Sequence, residues 1–272
     1  MQNAKIGIFF MDHYLKKRKV VIFTDCYDLA FNEIAQVIWN HVSPSLINSI
    51  HIDPVVAIKK FSTVNAAFAV RLFAELYPSS TIFLVVMNSM DNSPSRIIVE
   101  TNNNLILVGN NSGYFNWLIE DIGLKSVYEN SMQRETNPRS FGGKYVQAPT
   151  VASILNGKTL DTLGNKRSKE ILADFKIPNG TVVHCDNFGL IKIKGEPLNN
   201  IDEGQRMRIL INNKIEIEAI FSHQLKTHLD GTWVLFPGSS LYGLPELGKV
   251  RCPDSAESLN VKEGDFIVWE KV

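Results

Sequence analysis

Asp25 ends the run "VVIFTD", an apolar stretch of strand length, and an acid at the carboxyl end of a strand in an open α/β sheet stands where such sheets contact ligands. Its chemistry there is to accept hydroxyl hydrogen bonds from a ribose diol or to hold a cation. The alternative is that Asp25 or Asp28 only caps the helix that follows, and the local residues leave both open. The six histidines, at positions 13, 41, 51, 184, 223 and 228, have no metal-ligand spacing with one another or with the cysteines, so no metal site is expected. The run His184-Cys185-Asp186 has the residue types of a nucleophile cluster. Neighbours on a strand point to opposite faces, however, so it reads as structural. No G-x-G-x-x-G, Walker A or G-x-S-x-G pattern occurs, which removes the usual signals of dinucleotide binding, nucleoside triphosphate binding and serine hydrolysis.

The elements that must position these residues follow from periodicity. After "VVIFTD", Phe31, Ile34, Ala35, Ile38, Trp39 and Val42 recur at helical spacing. "INSIHID" reads as a strand, and Ser62 as the cap of a helix with Val64, Phe68 and Leu72 on one stripe, ending before Pro78. "TIFLVVM" and "NLILVG" are apolar strands, a helix is expected from about Tyr114 to Ile122, and "SFGGKYVQAPTVASILNG" starts as a glycine loop and continues as an amphipathic helix. Continuous apolar strands alternating with helices predict an α/β domain with a mostly parallel sheet covered on both faces. Beyond "IPNG", Ile177 to Gly180, the pattern changes to short strands, "TVVHCD", "LIKIKG", "KIEIEAIF", "TWVLFPG" and "FIVWEKV", which predict an all-β, barrel-like domain. The expected boundaries are residues 1–176 and 181–272, within a length of 272 residues that suits two domains.

With 28 basic and 28 acidic residues the net charge is zero, which gives no electrostatic footprint for nucleic acid or an anionic membrane. No run reaches the roughly 18 apolar residues of a membrane helix. The first residues lack the order of a signal peptide, and Cys26, Cys185 and Cys252 are odd in number and far apart. A cytoplasmic protein with free thiols is therefore expected.

The order of segments resembles one family along nearly the whole chain. "VIFTDCYD" is similar to an opening "TDFG" strand, and "RIIVETNNNLILVGNNSG" to "PIAVETDGGYFVGPDNG". "SFGGKYVQAPTVASILNG" matches "TFHGRDIFAPVAAHLASG" without a gap, "VVHCDNFGLIKI" resembles "VIYVDRFGNLITNI", and "PGSSLYG" is similar to "GSSGLLE". These are segments of the S-adenosylmethionine hydroxide adenosyltransferases, relatives of the fluorinase and chlorinase. The resemblance implies an N-terminal α/β domain, a C-terminal β-barrel, and a homotrimer that binds S-adenosylmethionine between subunits. It also implies attack of an activated water at the ribose C5′ carbon with expulsion of methionine. The sulfonium leaves readily, so catalysis needs in-line placement and a desolvated, deprotonated nucleophile.

The resemblance carries the family's functional positions onto this chain residue by residue. Its catalytic Asp falls on Met87, its Arg near Pro94 and its His on Gly142, which leaves Asp91, Arg96 and Lys144 as possible substitutes. The ribose-holding acid is retained as Asp25, while Asn32 and Asn88 stand close to other ligand contacts. In the second domain Asp186 and Phe188 match "DRFG", Ser239 and Ser240 match "GSS", and an adenine-facing Asn becomes Leu190. Three readings follow. One is a divergent member that binds S-adenosylmethionine or an adenosine-type molecule with the hydrolytic set lost. The others are an active hydrolase using substitute residues, and a non-catalytic structural or interaction protein. No cofactor is expected beyond S-adenosylmethionine itself as substrate or ligand.

Overall fold

The computed structural model describes residues 17–88, 94–132 and 141–272. The chain divides into two compact units, one running to Phe175 and the other starting at Lys176. Asp91 and Met90 lie outside the described residues.

The N-terminal unit is built on β1 (Arg18–Thr24), whose last five residues are all buried. Helix α1 (Leu29–His41) follows, then β2 (Ile50–Ile52), β3 (Val56–Ala57), α2 (Thr63–Phe73) and β4 (Ile82–Val86). Strands β5 (Arg96–Thr101) and β6 (Ile106–Asn110) form a hairpin, followed by α3 (Asn116–Ile122), β7 (Leu124–Asn130), α4 (Ala148–Leu155) and β8 (Gly164–Arg167). The sheet order is β2-β1-β4-β6-β5-β7-β8, with β3 also paired to β1. The pairs from β2 through β6 are parallel and those from β6 through β8 antiparallel.

Alternation along the central strands loads both faces. Val21, Phe23, Phe83 and Val85 pack on one side with Ala66 and Val70 of α2 and Leu118 of α3. Val20, Ile22, Ile82 and Leu84 pack on the other with Ile34 and Ile38 of α1 and with Val151 and Leu155 of α4. This is why the strands read as continuous apolar runs. Ile34 and Ile38 are fully buried, and each side chain contributes roughly 2–3 kcal/mol of transfer free energy to holding α1 on the sheet. The helix starts are capped as expected: Asp28 accepts from the Ala30 amide at 3.3 Å and Ser62 from the Asn65 amide at 3.2 Å. The buried face of α2 differs from the expected stripe. Small residues, Ala66 and Ala69, meet the sheet, which lets the helix approach closely; Phe68 instead lies against Trp117, with ring centroids 6.1 Å apart. The helix expected after the glycine loop is also divided. Gly143–Gln147 forms a π-helical turn, and the α-helix begins only at Ala148, where Pro149, which has no N–H to donate, sits in the first turn.

The C-terminal unit comprises β9 (Val182–Cys185), β10 (Ile191–Ile193), β11 (Arg206–Ile211), β12 (Ile215–Phe221), β13 (Trp233–Pro237), β14 (Pro245–Lys249), the short helix α5 (Ser255–Ser258) and β15 (Ile267–Lys271). Their order is β15-β11-β12-β13-β14-β10-β9, antiparallel except for the parallel pair β12–β13. The sheet curls until its edges meet. Thr181 bridges Phe266, the Val182 amide donates to the Asp265 carbonyl at 2.8 Å, and the Ile267 amide to the Gly180 carbonyl at 2.8 Å. Joining the edges satisfies backbone groups that an open sheet would expose. Met207, Ile209, Phe221, Leu235, Leu247 and Ile267 fill the interior.

Candidate functional site

The carboxyl ends of β1 and β4 carry Asp25, Met87 and Asn88. Asp25, one residue beyond β1, is 5% exposed. One of its carboxylate oxygens accepts from the Asn88 amide beyond β4, and the other from the Phe61 amide in the loop before α2, each at 3.0 Å. Phe61 has a φ of 58°, an uncommon conformation for an aromatic residue, and the bond from Asp25 fixes the amide of that same residue. Asp28, not Asp25, is the helix cap. Asp25 thus ties two loops to β1, and its remaining lone pairs are what it has for a ligand hydroxyl.

Beside it lies a cleft of about 180 Å³. Met87 and Asn88 from the end of β4 and Cys26 from the end of β1 form one side, and Gly142 with Gly143 and Gln147 of the π-helical turn that follows it another. Gln147 is buried and donates to the Asn110 side chain at the end of β6 over 2.9 Å. The Asn88 side chain donates to the Cys26 sulfur at 3.1 Å. Burial first, and then the charge of Asp25, push the Cys26 thiol up from its ordinary value, so it stays protonated and is a poor base or nucleophile at neutral pH.

Arg96, the first residue of β5, also lines this cleft. An ideal Cβ built on Gly142 would lie 2.5 Å from Nη2 and 3.1 Å from Nε of Arg96. Gly142 has an ordinary helical φ of −57°, so it is the space, not the backbone angle, that its missing side chain provides. The guanidinium occupies the start of the path that a side chain at position 142 would take. Gly143 is as tightly placed: a Cβ there would lie 2.4 Å from Cγ1 of Val86.

The remaining candidates are elsewhere. Lys144 is ion-paired with Glu33 at 2.8 Å, a bond that raises its pKa, and it does not line the cleft. Asn32 is exposed on α1, and Pro94 is half-buried outside the cleft lining. In the C-terminal unit one Asp186 carboxylate oxygen accepts from the Phe188 and Leu190 amides, each at 2.9 Å, and so shapes the β9–β10 turn. Phe188 is 66% exposed. It lines a second cleft of about 510 Å³, with Leu190, Leu225, Val250 and Pro253 giving an apolar surface. Lys226, Lys249 and Arg251 bring positive charge to its lining, with Arg251 paired to Asp230. Ser240 is buried and Ser239 exposed; neither lines this cleft, and the Ser240 carbonyl accepts from the Leu244 amide at 2.9 Å within a turn whose residues Leu241 and Tyr242 have φ of 45° and 59°. Cys185 is buried inside the barrel while His184 is half-buried.

Sequence reasoning did not single out Cys26, Gln147 or the cations of the second cleft. Gln147 carried a usable signal, a polar residue inside the apolar stripe of "YVQAPTVA". Among the described residues no group of three or more His, Cys, Asp or Glu is placed to hold a metal ion, and no helix is long and apolar enough to cross a membrane.

Comparison with known proteins bears on this arrangement. The chain is 26% identical over 134 residues to the (R)-S-adenosyl-L-methionine hydrolase of Methanocaldococcus jannaschii, a match covering 49% of each protein, so the chain spans about half the length of that curated relative. A crystal structure of an uncharacterized conserved protein from Thermotoga maritima superposes with a TM-score of 0.76 at 22% identity, over 92% of this chain and 99% of that one. A conserved hypothetical protein from Thermus thermophilus gives 0.69 at 19% identity, over 93% and 100%. These two likenesses establish the fold. The profile of the SAM hydroxide adenosyltransferase N-terminal domain matches residues 28–164, which hold every described residue of the small cleft except Cys26, and the chain belongs to that family.

Proposed function

We propose that this protein binds an adenosyl-type ligand, S-adenosylmethionine or adenosine, and that it has lost the family's hydrolytic step. The observation that carries this reading is the chemistry of the small cleft. Attack of water at C5′ needs a group to take its proton, and such groups typically contribute 10²–10⁴-fold. Among the described residues lining the cleft there is no carboxylate or imidazole. Met87 and Gly142 stand at the positions where the family resemblance expects an Asp and a His, and Cys26 is held as a thiol. Asp25 supports ligand binding: it is retained, and it organises the loops from Phe61 and Asn88 at the strand ends. The apolar cleft beside Phe188 in the C-terminal unit has a volume suited to a planar heterocycle. A homotrimer, whose subunits complete one another's sites, is part of the proposal, and light scattering showing a monomer at micromolar concentration would remove that part.

A second reading, hydrolysis through substitute residues, draws on one observation, the presence of Arg96 in the cleft. An arginine stays charged and supplies no base. The test is an intact-ligand mass measurement after incubation with S-adenosylmethionine. Recovery of uncleaved ligand bound to the protein is expected. Rapid release of adenosine, abolished by Asp25→Ala, would establish the second reading instead.

A further inference from the structure

We propose that the small cleft recognises a neutral amide edge, a carboxamide at the 5′ end of an adenosyl ligand, through the paired side chains of Gln147 and Asn110. This rests on the adenosyl-ligand reading above and names the group carried at C5′. Gln147 is a buried amide that is only half used. It is 2% exposed and interrupts the apolar stripe of "YVQAPTVA" at the end of the π-helical turn, a rare form of helix that occurs frequently at functional sites. Burying an amide is costly unless its polar atoms are hydrogen-bonded. Nε2 of Gln147 donates to Oδ1 of Asn110 at 2.9 Å, but its carbonyl oxygen has no partner among the described residues, and neither has Nδ2 of Asn110. These two atoms are not among the enclosed polar atoms that lack a partner, so both reach open space, and the cleft is the space that both residues line.

Two amides joined by one hydrogen bond leave one carbonyl oxygen and one NH₂ group unengaged. Exchanging oxygen and nitrogen in both side chains reverses which residue supplies which and changes nothing else. The wall therefore offers an acceptor and a donor side by side, and a group that returns a donor and an acceptor satisfies both. A carboxamide has this pattern. A carboxylate has acceptors only and an ammonium donors only, so each leaves one wall atom facing its like. Met87 and Phe141 in the same lining are apolar and Cys26 is a thiol, which suits an uncharged group. Arg96 lines the cleft as well but is itself engaged, so no free charge is assigned to it.

The experiment is titration calorimetry on the full chain with adenosine, adenosine-5′-carboxamide, adenosine-5′-carboxylate, S-adenosylmethionine and benzamide as separate ligands. The 5′-carboxamide is expected to bind about tenfold more tightly than adenosine, as two further neutral hydrogen bonds allow, and more tightly than the 5′-carboxylate or S-adenosylmethionine. Gln147→Met, which keeps the length of the side chain and removes its amide, should reduce the preference over adenosine to less than about threefold, and Asn110→Leu should do the same. Thermal melts accompany both variants, and the ligand series on the native protein tests the preference even where a variant does not fold. A carboxamide that binds no more tightly than adenosine, tightest binding by the carboxylate or S-adenosylmethionine, or a preference that survives both variants overturns the proposal and leaves the adenosyl reading in place. If no adenosyl compound binds while benzamide does, and Gln147→Met abolishes that binding, the amide site stands and the adenosyl reading falls. If nothing binds, both fall.

Discussion

Two aspartates at corresponding kinds of position, Asp25 after β1 and Asp186 after β9, do different work. Each accepts two backbone amides. Those of Asp186 come from residues two and four positions ahead, so the carboxylate shapes a turn that local sequence already favours. Those of Asp25 come from Phe61 and Asn88, 36 and 63 residues away, and join two loops that nothing local would bring together. The difference teaches where the site is fragile. The turn at Asp186 is a property of one hairpin, while the arrangement around Asp25 exists only when the parallel sheet is assembled around a buried acid.

Removing Asp25 should therefore have the largest effect. Asp25→Ala leaves two amides without their charged acceptor, and hydrogen bonds to charged groups contribute about 1.5–3 kcal/mol each. A loss of roughly 3–4 kcal/mol in urea unfolding is expected, together with loss of ligand binding. A loss below about 1 kcal/mol would break the comparison. Gly143→Ala comes next. Its Cβ meets Val86 in the core face of β4, and overpacking of this kind costs about 1–3 kcal/mol. Asp186→Ala should cost only about 1 kcal/mol and leave the N-terminal unit's melting unchanged, since its partners are local. An effect equal to that of Asp25→Ala would show that the β9–β10 turn is tertiary in origin.

The smallest effect concerns acid. Hydrogen bonds from the Ser222 hydroxyl, and next from the His223 side chain, hold the Glu203 carboxyl down at about 2. Its folded value lies below its unfolded one, so its contribution is present above the ordinary carboxylate range and is lost as the pH falls through about 2. Glu203 is open to solvent, so the contribution is small and screened by salt. Glu203→Gln should slightly flatten the acid limb of stability measured between pH 5 and about 2, and a steeper limb in the variant would contradict the assignment.

Much of this was legible from residue order. The apolar strands of the parallel sheet, the caps at Asp28 and Ser62, and the change of texture after Ile177 all follow from local chemistry. Strand β14, "PELGK", did not show itself: it has a proline, a glycine and no alternation. It is buried because β13 and β10 flank it, and Gly248 makes room for Leu190, whose Cδ2 would lie 2.4 Å from a Cβ there. Strand β11, "RMRILI", does alternate, with Met207, Ile209 and Ile211 inward, and was readable in principle. The site was harder. Lys144 stands two residues from Gly142 in sequence and turns outward to Glu33, whereas Arg96, 46 residues before Gly142, lies against it. A long side chain at the start of an inner strand meeting a turn 46 residues later is a tertiary fact that spacing does not encode.

The central claim, that the described residues of the cleft supply no group to deprotonate water, is tested most directly by measuring adenosine released from S-adenosylmethionine by the native protein and by the double variant Met87→Asp, Gly142→His. The native protein should release adenosine at least about a hundred-fold more slowly than an intact set of groups would allow. The double variant, once Arg96 has shifted to admit the imidazole, should gain turnover. Rapid release by the native protein that the double variant does not raise would contradict the account.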